Sequence, residues 1–114
     1  MKLSYFARLT ALALAVLLTV HSLGAQSGRG TITGVVTDAT GAIVPGAEIV
    51  ITNKANGEES KSLTTSTGLY RFPYVDPGTY KMTAALKGFK TAVRDNVQVL
   101  LAQTITVDFS LALG

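Results

Sequence analysis

From residue 30 onward apolar and polar residues alternate nearly one for one. This is the period of strands with one buried face, and the 3.6-residue period of a helix is absent. Four stretches carry the pattern clearly. TITGVVTD (31–38) sends Ile32, Gly34 and Val36 to one side, and GAEIVITN (46–53) does the same with Ala47, Ile49 and Ile51. TYKMTAAL (79–86) turns Tyr80, Met82, Ala84 and Leu86 inward, and TITVDFSL (104–111) turns in Ile105, Val107, Phe109 and Leu111. Residues 59–65, 69–73, 89–94 and 96–100 read as shorter or edge strands. Between these runs lie the turn sequences DATGAIVPG, NKANGEE, STG, DPG and KG. Pro77 fixes the first central position of a turn that Gly78 is expected to complete as type II. The pattern predicts an all-β fold, a small antiparallel sandwich of seven to eight strands of the immunoglobulin-like or transthyretin-like kind.

The first 25 residues break the pattern. Lys2 and Arg8 precede an apolar run, Leu9 to Val20, and small residues follow at HSLGAQS. That layout predicts a secretory signal peptide over 1–25 and a short polar leader over 26–30, with the sandwich filling 31–114. Twelve helical residues would reach only about 18 Å, against roughly 30 Å of bilayer hydrocarbon. A cleaved signal, leaving no membrane span, therefore explains the run better than an anchor.

Charge changes meaning once the signal is set aside. The chain has ten Lys/Arg and seven Asp/Glu, and Lys2, Arg8 and the single histidine, His21, all lie in the leader. The remaining eight bases and seven acids are dispersed, which argues against a nucleic-acid partner, since that needs a clustered basic face. With no cysteine, the domain must be held by apolar burial alone. Without histidine or cysteine in 26–114, neither a Ser-His-Asp or Cys-His arrangement nor a His/Cys zinc site can be assembled there. DATG offers one carboxylate where calcium wants several oxygens. The expectation is a non-enzymatic domain with no cofactor and no metal.

A binding role would fall to aromatic residues. Tyr70, Phe72, Tyr80 and Phe109 are on inward phases, and Phe89 follows the turn glycine Gly88. Tyr74 alone falls out of phase with an inward neighbour, Val75. It is the one ring expected to face solvent, where a sugar ring could stack.

Two spaced motifs carry a resemblance. The first, G-x-I-x-G-x-V-x-D-x-x-G-x-x-V-P-G-A, is met from Gly30 to Ala47 and includes Gly34, Asp38, Gly41, Pro45 and Gly46. The second, G-x-Y-x-F-x-x-V-x-P-G-x-Y, is met by Gly68, Tyr70, Phe72, Val75, Pro77, Gly78 and Tyr80, with Gly88 and Phe89 beyond it. Together they resemble the carboxypeptidase regulatory-like domain, whose transthyretin-like sandwich is also classed as carbohydrate-binding-like. The family often has Asp or Asn where Thr65 stands, and a hydroxyl is the weaker substitute for that turn bond.

Behind a signal peptide, this version is similar to the amino-terminal extension of TonB-dependent outer-membrane receptors, where a plug and a barrel follow. The resemblance implies an exported accessory or interaction module, periplasmic or associated with the outer membrane. Its partner would be a receptor plug and barrel or another envelope protein. It also leaves open a secreted or periplasmic carbohydrate-binding domain with a glycan as ligand, and a structural domain that pairs with a partner through an edge strand. The family's peptidase activity lies in a neighbouring zinc domain, so the resemblance brings no catalytic residue to this chain.

Overall fold

A computed structural model describes residues 28–114. The expected leader over 1–25 lies outside the described residues. Eight strands follow: β1 (Gly30–Asp38), β2 (Glu48–Asn53), β3 (Glu59–Leu63), β4 (Leu69–Val75), β5 (Gly78–Ala85), β6 (Ala92–Val99), β7 (Thr104–Thr106) and β8 (Phe109–Leu111). They form two sheets. One runs β4-β1-β7, with β8 pairing further along β1, and the other runs β3-β2-β5-β6. The inward phases read from the alternation are the buried ones. Ile32, Val36, Ala47, Ile49, Ile51, Tyr70, Phe72, Tyr80, Met82, Ala84, Phe109 and Leu111 meet in one core between the sheets. Leu86, Ile105 and Val107, also on predicted inward phases, are only half-buried and pack against its margin with Phe89.

Three expectations about the strands are corrected. The run 104–111 is two strands, and both pair with β1 in parallel, so the first sheet is mixed rather than wholly antiparallel. The strands expected at 89–94 and 96–100 are one, β6, in which the register slips by one residue opposite Tyr80–Met82 and Asn96 takes a positive φ of 55°. Such a bulge looks like a strand break in sequence because the alternation shifts phase there. Gly78 does not close a type II turn either. Its φ is 158°, far from the roughly +80° of that turn, and it opens β5. Asp76 and Pro77 carry the chain from one sheet to the other. Tyr80 fixes this corner by donating its hydroxyl to the Asp76 carbonyl at 2.7 Å, as tyrosine corners do in other sandwiches.

The split of β7 from β8 has a local cause. Opposite it lies Gly34, paired with Tyr70 of β4. With no Cβ in the way, the Tyr70 ring crosses β1 and its hydroxyl donates to the Val107 carbonyl. The ladder is then carried past the break by Asp108, whose Oδ1 accepts from the Val35 amide at 2.8 Å. Burial pushes the Tyr70 phenol well above its usual range, with the Asp108 charge adding to the effect, so the hydroxyl stays a donor. Tyr70 also meets Phe72 and Phe109 at centroid distances of 5.9 and 6.3 Å, in tilted geometries that aromatic pairs favour.

Beyond β3 the chain turns inward at Thr64, which is buried, as the phenols of Tyr70 and Tyr80 are. Its hydroxyl donates to the Val44 carbonyl at 2.7 Å and accepts from the Ala47 amide at 2.8 Å. Thr64→Val keeps the shape and orphans both groups, so it is expected to cost about 1–3 kcal/mol. Urea unfolding should show the loss at an unchanged slope, with Thr64→Ser retaining most of the stability.

Candidate functional site

The site is built by an irregularity in β4. Gly30 and Ile32 of β1 pair with Val75 and Phe72, so Pro73 and Tyr74 together face Thr31. Pro73 offers no amide, which suits a free sheet edge. Tyr74 adopts φ 59°, a left-handed conformation that costs a non-glycine residue on the order of 1–3 kcal/mol. The result aims its ring outward, 76% exposed, while Phe72 and Val75 on either side are buried.

The ring stands on the rim of a cleft of about 270 Å³ between the two sheets. Buried Ile51, Phe72 and Tyr80 contribute apolar surface, and Arg29, Asn53, Glu58 and Asp76 contribute polar groups. The Arg29 Nε lies 3.2 Å from Asp76 Oδ1 with both side chains mostly in solvent, a pair worth at most about 1 kcal/mol. A ligand could exchange with it cheaply. Asn53 Nδ2 donates to the Tyr80 hydroxyl at 3.4 Å. Burial raises the pKa of that phenol. The cleft can therefore stack a flat face on Tyr74 and hydrogen-bond around it, through a guanidinium, an amide and two carboxylates. Among the described residues no three His, Cys, Asp or Glu side chains gather to hold a metal.

The other residues singled out in the sequence serve the frame. Gly41, Gly46, Gly68 and Gly88 have positive φ and make turns, and Pro45 precedes Gly46 in the β1–β2 connection. Thr65 does supply the turn bonds in place of an Asx side chain: its Oγ1 accepts from the Thr67 and Leu69 amides at 3.3 and 3.2 Å. Phe89 bridges to Leu113, closing the β6–β8 side. Sequence reading missed Arg29, Asn53 and Glu58 as cleft residues, because their approach to Tyr74 depends on how two sheets meet. The one available signal was the phase slip at Pro73-Tyr74.

Asp38 is also structural. Its Oδ1 accepts from the Thr40 hydroxyl and amide at 2.6 and 2.8 Å and from the Ala42 amide at 3.1 Å. The Thr40 hydroxyl, followed by its amide, holds the carboxyl below the ordinary aspartate value of 3.8. A depressed folded pKa contributes stability above the unfolded value and loses it as pH falls through the folded one. Asp38→Asn should thus melt lower at neutral pH, with the gap to the parent shrinking below about pH 4. Melting curves across that range check this.

Fold and cleft define a class: a transthyretin-like β-sandwich with a small solvent-facing cleft. The model for the carboxypeptidase regulatory-like domain matches residues 31–112, and the chain belongs to that family. No curated protein matches the sequence. Among solved structures, the Bacillus anthracis TIE protein superposes with a TM-score of 0.64 at 13% identity, over 75% of this chain and 17% of that one. A chlorocatechol 1,2-dioxygenase from Pseudomonas putida gives 0.56 at 16% identity, over 75% and 61%. A proposed carbohydrate-binding protein from Bacteroides uniformis gives 0.58 at 21% identity, over 74% and 41%. The chain thus spans less than two thirds of each of these proteins, and identities this low establish the shared fold alone.

Proposed function

We propose that the chain is an exported, non-enzymatic interaction module of the kind that precedes the plug and barrel of TonB-dependent outer-membrane receptors, present as an extension or in a stand-alone or truncated version. The observation that carries this reading is a signal-like segment over 1–25 placed directly before a regulatory-like domain over 31–112. Chemistry of the frame supports a non-catalytic role. The buried phenols of Tyr70 and Tyr80 are spent on backbone carbonyls, and Asp38 and Asp108 on backbone amides. Expression in a Gram-negative host followed by fractionation and mass measurement tests export. The reading expects a periplasmic or envelope-bound species shortened by about 25 residues; an uncut cytoplasmic chain contradicts it.

A second reading is favoured by Tyr74 specifically. An exposed ring held in a costly backbone conformation beside a polar cleft suits a glycan, and the B. uniformis relative in fold is itself proposed to bind carbohydrate. Calorimetric titration against a glycan panel should show millimolar to micromolar binding that Tyr74→Ala removes. Loss of one stacked ring is expected to weaken it by about tenfold or more, and silence across the panel ends the idea.

A further inference from the structure

Edges of natural sheets are usually blunted against pairing with another chain. On β4, Pro73 lacks an amide, and Thr65 takes up both the amide and the carbonyl of Leu69. β6 carries the bulge at Asn96, where Lys54 Nζ donates to Asp95 and Asn96 at 2.9 Å. The β7–β8 edge is broken into two strands of three residues each. β3 has none of these devices. It keeps five consecutive pairs with β2, without proline, positive φ or register slip. Its charged residues, Glu59 and Lys61, are what stands against a pairing strand there.

Those charges admit one partner in one register. The Asn53 amide donates to the Glu58 carbonyl at 2.8 Å and the Thr64 amide to the Ala47 carbonyl at 2.9 Å. Even positions of β3 therefore face β2, and Glu59, Lys61 and Leu63 turn their N–H and C=O outward. An antiparallel second copy must match odd positions to odd, so the two-fold axis can pass through Glu59, Ser60, Lys61, Ser62 or Leu63. Axes at Glu59 or Lys61 set like charges face to face, and axes at Ser62 or Leu63 leave Glu59 without a basic residue opposite. At Ser60, Glu59 of each copy meets Lys61 of the other. Among the described residues neither forms an ion pair within its own chain. We infer that β3 is a self-pairing edge: two copies join about Ser60, merging their β3-β2-β5-β6 sheets into one. Each Glu59–Lys61 pair exchanges two backbone hydrogen bonds, and the two-fold joint stops at a dimer.

The rest of the flank fits this register. Leu63, exposed, comes opposite Gly57, which has no side chain and nothing within 4 Å of its Cβ position. Glu48 lies diagonal to Lys61 of its own chain, an attraction in either state. Glu58 comes opposite Ser62, so the cleft beside Glu58 and Ser60 adjoins the other copy's hollow of about 410 Å³ beside Ser62, Leu63, Leu69 and Arg71. Arg71 of one copy is thereby brought toward Glu58 of the other. One strand pair is a smaller joint than the roughly 1,000 Å² of stable interfaces, so the dimer is reversible.

The test is sedimentation equilibrium of the chain as the expression host processes it. Dimers should form with a Kd on the order of 0.1 mM. E59K and K61E each set like charges opposite and should weaken pairing by about tenfold or more. Mixed one to one, the two variants should pair with each other as the parent pairs with itself, which excludes misfolding as the cause of the loss. Register is read by cross-linking, since no native cysteine competes. Ser60→Cys meets its own copy across a non-hydrogen-bonded pair, with Cα atoms about 4.5 Å apart, and should oxidise to a disulfide dimer. Ser62→Cys leaves the Cα atoms about 13 Å apart and should not. A parent still monomeric at about 1 mM, tenfold above that Kd, overturns the inference, as does cross-linking at 62 in place of 60. Association that ignores both charge changes also overturns it, and points to another surface such as exposed Leu100 and Leu101, or to a retained leader.

Discussion

Gly34→Ala is expected to unfold the domain or leave it barely folded, at a cost of at least about 4 kcal/mol. Alanine is ordinarily no worse than glycine in a strand. Here, though, the added Cβ would lie 2.0 Å from the Val107 carbonyl oxygen and 2.8 Å from the Tyr70 ring and hydroxyl. Neither neighbour can yield cheaply. One is backbone, and the other is a buried ring packed on Phe72 and Phe109. Relief requires moving the β7–β8 segment off β1, which takes Phe109 and Leu111 out of the core with it. Total stabilities of about 5–15 kcal/mol leave little margin for such a loss. Gly57→Ala is the contrast: nothing lies within 4 Å, and only its φ of 75° opposes the change, for a cost of about 1–2 kcal/mol. Circular dichroism and urea melts of the two variants should separate them plainly.

Ile49→Ala should cost about 2–5 kcal/mol. Ile49 is fully buried in β2, a central strand held by β3 on one side and β5 on the other, opposite Ser62 and Ala84. Those partners are small and their strands are fixed, so the space left by the lost side chain cannot be refilled by local collapse. Val50→Ala, one residue on and facing outward, should cost less than about 1 kcal/mol. A denaturant series in which the two variants lose similar stability would mean that the sheet faces are assigned wrongly.

Strand faces were legible because burial follows a period of two, and Ile32, Ile49, Met82 and Leu111 show it without interruption. Where the chain departs from simple alternation, legibility ended. The bulge at Asn96 divided one strand into two on paper, and the break after Thr106 joined two into one. Parallel pairing of β7 and β8 with β1 could not be read at all, since alternation fixes which face is buried but not which strand lies beside which.

The cleft divides the same way. Tyr74 could be picked out because it sits beside the inward Val75 without sharing its phase. The left-handed bulge that aims it, and the arrival of Arg29, Asn53 and Glu58 around it, are consequences of tertiary packing. Thr64 illustrates the opposite limit: one threonine among many in the sequence, it is the residue that ties buried Val44 to buried Ala47 across the exposed Pro45-Gly46 turn.

A module that serves a receptor should be encoded with one. Sequencing the genomic DNA beyond the codon for Gly114 decides this most directly. An open frame running into plug-like and then barrel-like sequence, or a receptor gene immediately adjacent, is the result this account predicts. A stop codon with no receptor gene nearby would contradict it.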